Sequence, residues 1–257
     1  MSTDLAVALE AVRAGAAALM AMYGRDLERT YKTDTDFATA ADLASERAIL
    51  DVIRRARPQD GFLGEELGDA GAAGSDRVWL VDPLCGTLNF AARTPLFAVN
   101  VALSSPSGTT VAAIAEPVAG EVYWADGGRF GIEGRSAPAG ANRLVDLDVD
   151  WAPDGAPLGP RLMADPGFRS RFGARVSSTS LALAWVAGGQ RIAYAVDGRH
   201  ERSVHFAAGL ALCEAAGCVV SDLRGRPVHT GEGILAAADA ETHAALLELL
   251  AGHLQAD

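Results

Sequence analysis

Positive charge is what this 257-residue sequence has least of. Lys and Arg together number 22 against 33 Asp and Glu, a net charge of −11, and Lys32 is the only lysine. That balance argues against non-specific binding to nucleic acid or to an anionic membrane, while leaving room for a local basic pocket around a small phosphate ester. Cysteine is scarce as well. Cys85, Cys213 and Cys218 make an odd set without framework spacing, which fits a reducing compartment rather than a disulfide scaffold. No run approaches ~18 apolar residues, so no membrane span is expected. The first residues carry Asp4, Glu10 and Arg13 among alanine-rich stretches, not the basic flank and unbroken apolar core of a secretory signal. The expectation is a soluble cytoplasmic protein.

What is present is core-forming material. Hydrophobic residues make up 49% and charged residues 21%, with no low-complexity tract and no internal repeat, enough for one large domain or two closely packed halves. Apolar residues at helical spacing predict a helix over 4–30 (Leu5, Leu9, Val12, Ala16, Leu19, Met20). Lys32 to Thr39 is polar and turn-like. A second helix from Thr39 buries Ala40, Leu43, Ala44, Ile49, Leu50 and Ile53 and stops near Arg57-Pro58. Phe62 to Glu66 reads as a short strand ending in two carboxylates, and Ala70 to Ser75 as a small-residue loop. Strands are expected at 79–82, 99–103, 111–115 and 120–124. Residues 134–160, rich in Gly, Pro, Ala and Asp, mark a boundary between an N-terminal half, 1–140, and a C-terminal half, 141–257. Beyond it, helices are expected at 180–187, 206–216 and 246–254, with strands at 192–196 and 218–220. Sheets interleaved with helices give an α/β or α+β layered protein.

The chemistry concentrates at two strand ends. Glu65 and Glu66 close one strand, and Asp82 closes the next, followed by Pro83 and a Gly86-Thr87 turn. A Glu-Glu pair is commonly no more than a solvated loop, but a strand-end Asp in an apolar run is costly unless paired or metal-bound. Carboxylates from two strand ends make an oxygen-rich site suited to Mg²⁺, and a Gly-Thr turn offers N–H donors to an anion. That combination points to metal-assisted phosphoryl hydrolysis.

The stretch Trp79-Leu80-Val81-Asp82-Pro83-Leu84-Cys85-Gly86-Thr87-Leu88-Asn89-Phe90 resembles W-x-x-D-P-x-D-G-T-x-N-F, the signature of the inositol monophosphatase family. The similarity includes Asp36 to Asp42 and Phe62 to Glu66 upstream. Downstream it takes in Val204-His205-Phe206-Ala207-Ala208-Gly209, which resembles W-D-x-A-A-G, and Glu214-Ala215-Ala216-Gly217. The resemblance implies a layered α-β-α-β-α sandwich, a homodimer, and Mg²⁺-dependent hydrolysis of a small phosphorylated metabolite without a covalent intermediate. By the same resemblance Glu65 binds metal and helps activate water, Asp82 bridges two metals, and the Leu84 carbonyl is a further ligand. Thr87 orients the water, and the Gly86 and Thr87 N–H groups cradle phosphate. Lys32 and Asp42 flank the site. The family's sugar-contacting position falls on Val196 or Asp197, near the end of the 192–196 strand, depending on a short gap; Asp197 lies in a polar loop with Arg199, His200 and Glu201 that would shape a different substrate pocket.

Two positions depart from the motif. Cys85 stands where the second Asp of D-P-x-D-G-T belongs, and His205 where the Asp of W-D-x-A-A-G belongs. The loss falls on one metal subsite, and thiol and imidazole are poor ligands for Mg²⁺. Three readings are open for the pair. They are tolerated replacements, or ligands with Asp82 and Glu65 for Zn²⁺ or Fe²⁺, or a metal-free pair in which His205 activates a Cys85 nucleophile. Correspondingly, the functional expectation is a phosphatase with an altered second metal site, with a repurposed enzyme and an inactive binding homologue as alternatives. Cys213 and Cys218 read as core packing, and His200, His229, His243 and His253 as surface or loop residues.

Overall fold

The computed structural model describes residues 3–33, 37–72, 74–135, 137–150, 157–198, 200 and 203–254. The chain divides into two compact units that do not follow a single cut. The first is Met1–Ser136 together with Thr179–Leu181 and Ser203–Leu212; the second holds the remainder. His205, expected in the C-terminal half, therefore belongs to the first unit.

In the first unit, α1 (Asp4–Met22) is capped by the Thr3 side chain. The helix expected over 4–30 ends at Met22, because Gly24, at φ +82, turns the chain out of it, and a two-stranded ribbon follows, β1 (Arg29–Tyr31) antiparallel to β2 (Phe37–Thr39), the latter in the stretch read as a turn. α2 (Ala40–Ala56) starts in a capping box formed by Thr39 and Asp42 and ends at Arg57, where Pro58 blocks continuation. Then come β3 (Gly61–Gly64), β4 (Gly68–Gly71), β5 (Val78–Cys85), the short α3 (Thr87–Ala91), β6 (Ala98–Ser105), β7 (Gly108–Glu116), β8 (Glu121–Asp126) and β9 (Arg129–Glu133). The strands form one seven-stranded sheet in the order β4-β3-β5-β6-β7-β8-β9, with β3 and β5 its parallel pair. β4 reaches into the stretch expected to be loop at Ala70 and Gly71, because pairing with β3 satisfies a backbone whose side chains carry no strand signal.

α1 and α2 pack on each other and on this sheet, α1 over β6, β7 and β8 and α2 over β5. By length and composition alone α1 would be apolar enough to cross a membrane, although Asp4, Glu10 and Arg13 interrupt it. Here Val7, Ala8, Ala11, Val12 and Leu19 are buried in the core of the unit instead. The two helices meet at Gly15, where a Cβ would lie 2.8 Å from Ser45 Oγ and 2.9 Å from Ile49 Cδ1.

In the second unit, β10 (Leu144–Asp148), α4 (Leu158–Ala164), α5 (Pro166–Arg171) and β11 (Gly173–Val176) fill a stretch the sequence marks mainly as a boundary. They are followed by α6 (Leu181–Ala187), β12 (Ala193–Val196), α7 (Ala207–Ala215), β13 (Val219–Ser221), β14 (Ile234–Ala237) and α8 (Ala240–Ala251). The opening of α6 and most of α7 fall in residues of the first unit. The five strands run β11-β10-β12-β14-β13, parallel around β10 and antiparallel around β14. α8 starts six residues earlier than the apolar run predicts, because Asp239 caps it by accepting from Thr242 N–H.

Candidate functional site

β5 is buried on both faces, so its last residues are delivered to one place with little freedom. Asp82 is fully buried. Pairing with β6 slips between Asp82, opposite Asn100, and Cys85, opposite Ala98: three steps on β5 against two on β6, a bulge. The bulge turns Pro83 and Leu84 out of the ladder. Ser45 of α2 donates to the Pro83 carbonyl at 2.8 Å, and the Leu84 N–H donates to Asp82 Oδ1 at 3.2 Å. Gly86 then takes φ +101, and a Cβ there would sit 2.7 Å from the Leu96 carbonyl oxygen, so only glycine makes this entry into α3.

The Thr87 hydroxyl lies between two acceptors, Asp42 Oδ1 at 3.0 Å and the Leu84 carbonyl at 3.1 Å. Asp42 also accepts from the Thr39 N–H and hydroxyl, each at 2.7 Å. Burial raises the Asp42 carboxyl to about 6 against those bonds. One residue thus caps α2 and holds Thr87.

The second carboxylate group arrives on the loop after β3. Glu46 of α2, fully buried, accepts from the N–H of Glu66 at 2.9 Å and of Leu67 at 3.1 Å, pinning the loop that carries Glu65. A Cβ on Gly64 would lie 1.5 Å from Glu46 Oε1, so that anchor requires glycine. Lys32 Nζ donates to Glu65 at 3.0 Å and also to Glu66. Burial and the Asp82 charge push Glu65 up to about 8, with His205 and Lys32 pulling the other way. A place this unfavourable for anions favours a cation.

His205, two residues ahead of α7, points Nδ1 at Asp82 Oδ2, 2.7 Å away, and lies 4.0 Å from Glu65 Oε2. Burial works against charging the imidazole, but the Asp82 charge and hydrogen bond prevail and raise it to about 11. Asp82, Cys85 and His205 each offer a ligand atom, all within 4.8 Å of one another. The Cys85 sulfur accepts the Ser180 N–H at 3.1 Å. Burial first, then the Asp82 charge, raise the thiol to about 11, with His205 and Ser180 opposing. For the reading of Cys85 as a nucleophile paired with His205, His205 favours the thiolate, while burial and the Asp82 charge oppose it.

Glu65, Asp82, Leu84, Cys85, Gly86, Thr87, Lys32, Asp42 and His205 all fall in the first unit. Asp197 falls in the second, where its carboxylate accepts the Leu158 N–H at the start of α4 at 2.6 Å. Arg199 and Glu201 lie outside the described residues, as does Asp36. Two histidines expected at the surface are buried: His243 hydrogen-bonds Ser221 Oγ at 2.8 Å, and His200 is 7% exposed. Ser45, Glu46, Asn100 and Ser180 were not singled out by sequence. Their signal was polar residues at helical spacing from Asp42, inside an apolar face, and an Asn in the middle of an apolar strand. Asn100 donates to Asp82 Oδ2 and to the His205 carbonyl, both at 3.4 Å, while its own oxygen accepts from Ser180 at 2.7 Å.

With this geometry in place, comparison with known proteins is decisive. The model of the inositol monophosphatase family matches residues 1–255. The chain belongs to the inositol monophosphatase family. Among its relatives, the inositol-1-monophosphatase of Caulobacter vibrioides is 32% identical, over 94% of this chain and 98% of that one. The Nus factor SuhB of Escherichia coli is 34% identical over 77% and 76%. Among solved structures, the extragenic suppressor protein suhB of Bartonella henselae superposes with a TM-score of 0.87 at 26% identity, covering 98% and 100%. The fold is thus the layered α/β fold of inositol monophosphatases. Family members normally use Mg²⁺ and act on small phosphate monoesters.

Whether this chain's residues suit Mg²⁺ divides by subsite. The Glu65 and Asp82 carboxylates and the Leu84 carbonyl are hard oxygen donors of the kind Mg²⁺ takes. The set of Asp82, Cys85 and His205 is not, since two of its three donors are sulfur and nitrogen.

Proposed function

We propose that this family member hydrolyses a small phosphate monoester, with Glu65, Asp82 and the Leu84 carbonyl holding one Mg²⁺. The observation that carries this reading is the Thr87 hydroxyl lodged between Asp42 and Leu84. With its proton committed to those acceptors, the Thr87 oxygen can only accept. A water donating to it is thereby oriented. Glu65, as the family resemblance implies, takes the water's second proton. The Gly86 and Thr87 N–H groups hold the phosphate oxygens, as the family resemblance implies. Lys32 keeps Glu65 in position through their 3.0 Å contact. When bound, Mg²⁺ supplies neutralisation of phosphate charge and a lowered pKa for its water. His205 and Cys85 stand where the resemblance implies a second Mg²⁺ ligand set, so hydrolysis is slower than with that set complete. The reading includes a homodimer in a reducing, cytoplasmic setting.

The test is phosphate release from a panel of phosphate monoesters, inositol-1-phosphate among them, at saturating Mg²⁺. Release is expected from at least one, falling by ~100-fold or more in Glu65→Gln. No release from any member of the panel, in folded protein, overturns the reading in favour of a binding or repurposed protein.

A further inference from the structure

Asp82, Cys85 and His205 form a cluster of which hydrolysis by the oxygen-donor subsite uses Asp82 alone. Their donor atoms are a carboxylate oxygen, a thiol sulfur and an imidazole nitrogen, mutually within 4.8 Å. The cluster is built, not incidental. Asp82 is fully buried, at the bulge of a strand enclosed by its neighbours. The Ser180 N–H points at the Cys85 sulfur at 3.1 Å, the contact that steadies a thiolate, and Ser180 Oγ in turn holds Asn100, which reaches Asp82. Ligands oriented by such a ring of hydrogen bonds are the pattern of a protein metal centre.

We propose that Asp82, Cys85 and His205 bind a borderline-soft divalent ion, Zn²⁺, in place of the second Mg²⁺ of the family. The donor chemistry selects the ion. Thiolate and imidazole favour zinc over magnesium, and three protein ligands plus one open position is the coordination of a reactive zinc site. Glu65 Oε2, 4.0 Å from His205 Nδ1, is within reach of the fourth position. The fit needs modest movement. Two ligands at ~2.0 Å from a tetrahedral ion stand ~3.3 Å apart, so the 2.7 Å bond between His205 and Asp82 must open by roughly half an ångström. Binding breaks the Cys85 S–H bond and the imidazolium N–H bond facing the ion, and both protons leave to solvent. No oxidation occurs. The proposal concerns binding in the resting protein and does not depend on phosphate hydrolysis.

The test uses the full chain, stripped with a chelator and titrated with Co²⁺ as a spectroscopic stand-in, then with Zn²⁺. One equivalent of Co²⁺ is expected to produce a thiolate-to-cobalt charge-transfer band with visible ligand-field bands, and one equivalent of Zn²⁺ to abolish both. Cys85→Ser is expected to remove the charge-transfer band, and His205→Ala to weaken binding at least tenfold. Cys213→Ala and Cys218→Ala are expected to leave the spectrum intact. Circular dichroism of each variant separates a lost ligand from a lost fold, and Asn100→Ala, a change outside the ligand set, is expected to weaken binding ~10–100-fold. No charge-transfer band in the folded wild type, or a band that survives Cys85→Ser, overturns the proposal. Phosphate release with Mg²⁺ is measured separately, so failure of one reading is visible without failure of the other.

Discussion

His205 donates from Nδ1 to Asp82 Oδ2 at 2.7 Å, placing an imidazolium against a fully buried carboxylate. Each partner offsets the cost of burying the other, and removing one strands a charge.

That pair makes stability fall with rising pH. His205 is raised from 6.5 to about 11 in the folded protein, so its proton is held more tightly there than in the unfolded chain. The contribution is complete below about pH 6.5 and is lost as pH climbs through about 11. In metal-stripped protein, the unfolding free-energy difference between wild type and His205→Gln should shrink from pH 6 to pH 10. A difference that stays level or grows would count against the assignment.

Restoring the motif should restore magnesium chemistry. The double change Cys85→Asp with His205→Asp replaces thiol and imidazole by hard oxygen ligands. Mg²⁺-dependent phosphate release is expected to rise at least ~10-fold, measured as kcat at saturating metal. An unchanged rate in a folded double variant would show that divergence extends past these two residues.

Thr87 separates hydroxyl chemistry from packing. Thr87→Ser keeps the donor to Asp42 and Leu84, whereas Thr87→Val keeps the shape and loses it. Steady-state kinetics should show Thr87→Ser within a few-fold of wild type and Thr87→Val down by ~100-fold in kcat. Equal loss in both would point to shape alone.

Gly64→Ala tests the anchor of the Glu65 loop. The new methyl would lie 1.5 Å from Glu46 Oε1, and overpacking of this kind costs about 1–3 kcal/mol. Denaturant unfolding should show that loss, and show less of it in a Glu46→Ala background, where only the 2.8 Å approach to Phe62 Cε1 remains.

Thiol reactivity should follow the local fields. The hydrogen bond from Cys213 lowers the Cys218 thiol below its ordinary value, while burial and Asp82 raise Cys85 to about 11. Brief alkylation near neutral pH, read by mass spectrometry, should label Cys218 well before Cys85. Faster labelling at Cys85 would support a nucleophilic role for it.

The sequence by itself determined the family, the strand that carries Asp82, the helix from Thr39 and the turn at Gly86-Thr87. Those are local signals: apolar runs and residues whose backbone preferences do not depend on distant partners. It also showed that Cys85 and His205 break the motif, since that is a matter of residue type alone. What it could not settle is what the two do, because Cys85 and His205 are separated by more than a hundred residues and their chemistry depends on what stands beside them. Only the tertiary structure brought Ser180 N–H to the Cys85 sulfur, Asn100 to Asp82, and Glu46 under Gly64. Only in the fold does the Asp82 charge favour the His205 proton, against burial, while burial and that same charge disfavour a Cys85 thiolate.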